Sequence, residues 1–151
     1  MTGDVRRCYR IMEESGWEPD RHTVVRLVME SQSWAAVYMA VGWFHVTQGT
    51  MDRARACFAK AEASCESDEE LSYVLHAASI ASLSMGDPTT ALQKERACLA
   101  LCRGTRDLPL VAKVLVHLGA ISSAIDGASR GEADESDTTG KDAHDIPRAN
   151  H

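Results

Sequence analysis

A chain of 151 residues, 44% hydrophobic and 25% charged, is long enough for one domain with its own core. Its formal charge of −6 is shared as −3 over residues 1–128 and −3 over 129–151, so neither part has the basic stripe on which nucleic-acid binding usually draws. The five cysteines are odd in number and include no CxxC pair, which argues against a disulfide framework or a zinc ribbon; they read as small core residues of an intracellular, reducing compartment.

No uninterrupted apolar run approaches the roughly 20 residues of a membrane span, and the acidic Asp4 and the lack of an apolar h-region argue against a secretory signal. The expectation is a soluble cytoplasmic protein without membrane contact, or an organellar one if a longer precursor exists.

Residues 3–15 predict a first helix with Val5, Cys8, Ile11 and Met12 on one face and Gly16 as its stop. Pro19-Asp20 breaks the chain and caps a second helix over 21–31, with Val24, Val25, Leu27 and Val28 inward. Either Ser33 caps a third helix over 34–48 or the two helices run on with a bend; the stripe of 34–48 is Val37, Tyr38, Val41 and Phe44. Gly42 lies in its middle, at a cost of about 1 kcal/mol relative to alanine, which points to close helix packing. After Gly49, Thr50 is expected to cap a fourth helix, 51–64, with Ala54, Cys57, Phe58 and Ala61 facing back.

Ser67 and Glu70 match the S-x-x-E capping box for a helix over 68–85, carrying Leu71, Val74, Leu75, Ala78 and Leu83. Gly86-Asp87-Pro88 is a stop, cap and restart, followed by helix 88–102 with Ala91, Leu92, Cys98 and Leu99. A polar loop leads to helix 108–126, with Val111, Val114, Leu115, Leu118, Ile121 and Ile125 at helical spacing. Beyond it large apolar residues vanish except Ile146, and residues 129–151 predict a disordered acidic tail. Ser136, between Glu135 and Asp137, is there a candidate for acid-directed phosphorylation. No segment alternates as a strand does, so the expected fold is all-α with about seven helices in one domain over 1–128.

Two of the helix pairs repeat. Tyr38 and Leu75, Gly42 and Ser79, Gly49 and Gly86, Ala54 and Ala91, and Ala61 and Cys98 each stand 37 residues apart. A period near 37–40 with two helices per unit is that of an α-solenoid.

The run Tyr38, Val41-Gly42, Gly49, Ala54, Phe58, Ala61 resembles the signature of the tetratricopeptide repeat (TPR) superfamily, in its long-period form, and the resemblance covers about 34–126. The second unit departs from it with Ser79 for the glycine and Glu95 for the aromatic, and the third offers only a first helix. The N-terminal stretch is similar to the joint between pentatricopeptide (PPR) repeats, in Met12, Gly16, Pro19-Asp20 and Thr23, which implies single-stranded RNA as an alternative partner. Of its two base-reading places, Asp20 fits one, but the other falls on the apolar Val25. Under either likeness, helix 3–15 reads as the second half of a repeat, either a cap or the edge of a longer array, and left uncapped it would promote self-association.

The TPR resemblance implies a concave groove lined by first helices. Its positions fall on Ala36, Met39, Trp43, Val46 and Thr47, then on Tyr73, His76, Ile80, Leu83 and Ser84, and in the third unit on Lys113, Val116, Ala120 and Ser123. The Lys and Asn of carboxylate-clamping TPRs are replaced by Met, Trp and Val, so the implied partner is a protein or peptide segment in an apolar groove, with Trp43 and Tyr73 as anchors. A purely structural fragment of a larger regulator is a further reading.

Catalytic equipment is not evident, and no cofactor or metal is expected. Gly127–Gly131 matches G-x-S-x-G by letter but lacks the preceding strand of a nucleophile elbow. His76 and His117 read as single histidines, and Cys98 and Cys102 as an i, i+4 pair without further ligands.

Overall fold

The computed structural model describes the backbone of residues 3–142 and the side chains of residues 3–131. It holds seven helices: α1 (Gly3–Ser15), α2 (Arg21–Glu30), α3 (Trp34–Gln48), α4 (Met51–Ala63), α5 (Asp68–Ser84), α6 (Pro88–Thr105) and α7 (Leu108–Asp142). No strand occurs among the described residues, so the fold is all-α.

Local signals set most of the helix ends. Asp20, Ser33, Ser67 and Asp87 each accept a hydrogen bond from a backbone N–H three residues on, satisfying a donor that the first turn leaves unpaired. Gly49 and Gly86 both take φ +76°, the left-handed conformation that ends a helix without a Cβ penalty. Two details differ from expectation. Thr50 makes no cap to α4; its hydroxyl turns back to His45, 2.8 Å from Nδ1. Glu70 reaches the N–H of Glu66 at 3.1 Å, not that of the cap residue Ser67.

The hairpins α3–α4 and α5–α6 are antiparallel. In the first, Ala35 packs near Ala61; in the second, Cys98 approaches the carbonyl of Ser72 and Ser79 donates to the carbonyl of Ala91 at 2.8 Å. Gly42 permits close approach: a Cβ there would lie 2.9 Å from Phe58 Cε2 and 3.3 Å from Cys57 Cβ. Phe58 then carries the first hairpin onto the second, packing on Ala78 and Ala81 of α5. Among the described residues, each helix touches only helices within three places of it along the chain.

The core is correspondingly serial. Cys8, Ile11, Met12, Val24, Val37, Val41 and Cys57 form one cluster, while Leu75, Cys98, Cys102, Leu110 and Val114 form another at the far end. Trp17 closes the first, stacked on Phe44 with ring centroids 3.8 Å apart. The outward residues of α1 (Arg6, Arg10, Glu13 and Glu14) are charged and exposed.

The last helix adds three details. Leu115, expected inward, is half exposed, and the inward place belongs to Leu110. The helix is described to Asp142, past the expected end at 126 and into the stretch read as a tail from 129; no proline lies between Pro109 and Pro147, and Ala128, Glu132, Ala133 and Glu135 are good helix formers. Residues 143–151 of that expected tail lie outside the described residues, as do the side chains of its acidic run and Ser136. Finally, Leu108–Gly131 contains an 18-residue window of mean hydropathy 1.8, 17% of it buried, and is by length and composition alone long and apolar enough to cross a membrane. Counting uninterrupted apolar residues misses it because Lys113, His117 and Ser122-Ser123 break the run.

Candidate functional site

Helix α5 borders two surface hollows, one on each side. Its caps fix its register, and its 3.6-residue period sets Tyr73, His76 and Ile80 along one face. Tyr73 borders the first hollow, and His76 with Ile80 the second.

The first hollow, a trough of about 760 Å³, lies between α2–α3 and α5. Leu27, Ala36, Met39, Ala40 and Val74 supply apolar surface. Glu30, Glu66, Glu69 and Glu70 border it, and no Lys, Arg or His does. Tyr73 is 45% exposed and donates its hydroxyl to Asp107 Oδ2 at 2.7 Å, which fixes the ring at the trough's edge. That bond, with the charge of Asp107, holds the phenol above its usual range.

The second hollow, about 420 Å³, is walled by Ile80, Ala112, Lys113, Val116 and Ala120 with His76 and His117. Beneath it, fully buried on α6, lies Glu95. Its Oε1 stands 2.9 Å from His76 Nδ1 and its Oε2 3.5 Å from His117 Nε2. The two imidazoles meet edge to face, centroids 5.8 Å apart. One carboxylate thus bridges α5 and α7 on α6: Oε1 is hydrogen-bonded to His76, while Oε2 and His117 Nε2 face each other at 3.5 Å without a hydrogen bond. Cys98, one turn along α6, has its thiol pushed up to about 12 by burial and then by the charge of Glu95.

His76 and His117, single histidines in the sequence, thus face one buried carboxylate. The available signal was Glu95 itself, spaced with Ala91, Cys98 and Cys102 at i, i+4, i+7 and i+11 on the inward face of α6 and in register with the aromatic Phe58. The cluster holds no free nucleophile: Ser79 and Ser72 spend their hydroxyl protons on backbone carbonyls. Among the described residues, no group of three or more His, Cys, Asp and Glu is placed to hold a metal ion. Gly127–Gly131 lies within α7, with no strand before it.

The remaining groove positions divide. Ala36 and Met39 join Tyr73 in the first hollow, and Lys113, Val116 and Ala120 join His76 and Ile80 in the second. Trp43, expected as an anchor, is taken up by packing: half-buried, it meets Phe58 edge-on at 5.7 Å, and Val46 packs beside it. Thr47, Leu83, Ser84 and Ser123 border neither hollow.

No protein-family model matches this chain, and neither does any curated protein or solved structure.

Proposed function

We propose that the chain is a non-enzymatic helical-repeat scaffold of TPR-like, α-solenoid build that holds a protein segment along the two hollows bordering α5. One observation carries this reading: eight of the positions that the repeat register assigns to a groove gather in those hollows, Ala36, Met39 and Tyr73 in one and His76, Ile80, Lys113, Val116 and Ala120 in the other. Helix packing restricted to near neighbours supports a solenoid, in which stacked units build an extended binding face. Two side chains offer grip without being needed for folding, Tyr73 at 45% and Val116 at 77% exposed. An aromatic and an aliphatic anchor of this kind suit an amphipathic helix or an extended peptide.

The test is selection of displayed peptides on the full chain, followed by titration of an enriched peptide against Tyr73→Ala and Val116→Ser. Each substitution is expected to weaken binding by about tenfold, the scale of a hot-spot side chain, while the melting temperature stays close to that of the parent. Enriched peptides that bind both variants as tightly as the parent would place binding elsewhere and refute the proposal.

A further inference from the structure

We propose that the trough between α3 and α5 takes a basic segment, with lysine or arginine side chains over its glutamate rim and an aliphatic side chain on its floor. This rests on the reading that the hollows bordering α5 hold a protein segment, and it names the chemistry of that segment.

The charge pattern is one-sided. Four glutamates border the trough and no cationic side chain does. Asp68 adds a further carboxylate in the same first turn of α5. The helix dipole accounts for acids at that turn, since the N-terminus of a helix favours negative charge. It does not account for Glu30 or Glu66. Glu30 closes the last turn of α2, where the dipole favours a cation, and Glu66 precedes α5 in the connecting turn. Glu30 has one exposed partner, Arg26 at 3.0 Å, whereas Glu66 and Glu69 form no ion pair among the described residues. The side chain of Glu70 is part-buried, and its Oε1 has no hydrogen-bond partner.

Beneath this rim the floor is apolar, made by Leu27, Ala36, Met39, Ala40 and Val74. The Tyr73 ring, fixed by Asp107, stands at the edge with nearly half its surface in solvent, where a cation can lie over its face. Like charges held together in this way repel one another, and a cationic partner relieves that repulsion on binding while speeding encounter. The same field rejects RNA and acidic peptides. The second hollow is lined mainly by Ile80, Ala112, Val116 and Ala120 and by no acid, so the basic preference belongs to the α3–α5 trough alone.

Three labelled peptides of equal length and leucine content, with lysine, glutamine or glutamate at the same positions, decide the matter when titrated into the full chain. The lysine peptide is expected to bind at least about tenfold tighter than the glutamine one, with an advantage that shrinks as salt rises. The double variant Glu66→Gln/Glu69→Gln should abolish that advantage; both side chains are exposed, so folding is spared. Equal binding of the lysine and glutamine peptides, both weakened by Tyr73→Ala, would overturn the charge assignment and leave the scaffold reading standing. Binding of none of the three, or binding that Tyr73→Ala leaves untouched, would overturn the scaffold reading as well. A dimer of the chain that the lysine peptide cannot displace, yet the double variant dissolves, would make a second copy the occupant and refute a basic partner segment.

Discussion

Glu95 Oε1 lies 2.9 Å from His76 Nδ1, and the carboxylate that joins them has no surface in water. At an offset of 37 residues in the sequence, Glu95 and His76 align with Phe58 and Met39, so a polar link stands where the preceding hairpin has apolar side chains.

That substitution has a measurable cost. Removing one partner of a buried pair typically destabilises by about 3–5 kcal/mol, while replacing the pair with packed apolar side chains is often neutral or stabilising. Glu95→Ala is expected to lower the stability measured in urea by about 3 kcal/mol. The double variant His76→Met/Glu95→Phe, which imports the residues of the first hairpin, should recover most of the loss. Single-variant costs that simply add in the double would show that the two side chains do not act as a unit.

The glycines give a prediction of opposite signs. Gly42→Ala brings a Cβ to 2.9 Å from the Phe58 ring, so the helix propensity gained is outweighed by overpacking, with a net loss of about 1–3 kcal/mol. Gly119, on the exposed side of α7, has nothing within 4 Å of its built Cβ, and Gly119→Ala should stabilise by about 0.5–1 kcal/mol. Thermal unfolding of the two variants, shifted in opposite directions from the parent, is the expected result; a gain from Gly42→Ala would disprove the close approach of α3 to α4.

His45 supplies a pH dependence. It is buried, with Nε2 3.1 Å from Ser15 Oγ and Nδ1 2.8 Å from Thr50 Oγ1, linking the end of α1 to the α3–α4 turn. Ser15 donates its hydroxyl proton to the Met12 carbonyl, and Thr50 Oγ1 lies 3.2 Å from the His45 carbonyl as well as beside Nδ1, so each hydroxyl has a backbone acceptor besides the ring. Burial, with the nearby charge of Arg53, holds its folded value below 6.5. Its contribution is then fully present above pH 6.5, where both states are neutral. It is lost as pH falls from there through the folded value, because the unfolded chain takes up a proton that the folded one refuses. The stability gap between the parent and His45→Gln should therefore narrow from pH 8 to pH 5 in urea titrations. A gap that stays constant would mean that His45 does not titrate differently in the two states.

The helix plan was legible because its signals are local. Asp20, Ser33, Ser67 and Asp87 cap from their own first turns, and Gly49 and Gly86 stop helices by a conformation that needs no tertiary partner. The faces on which Tyr73, His76 and Val116 lie could be counted out for a related reason, the 3.6-residue period of the helices that carry them.

Three things only the assembled structure decided, each depending on residues far apart in the chain. Trp43 looked like an anchor until Phe58 of the next helix took its ring edge-on. His76 and His117 looked solitary until α6 brought Glu95 between them. The acids of the trough come from the end of α2 and from the turn and first turn that open α5, separated by the whole first hairpin, and they share a field only because both border one trough. Backbone hydrogen bonds and caps act within a few residues and can be read along a line. Charge and packing act through space, so they wait on the fold.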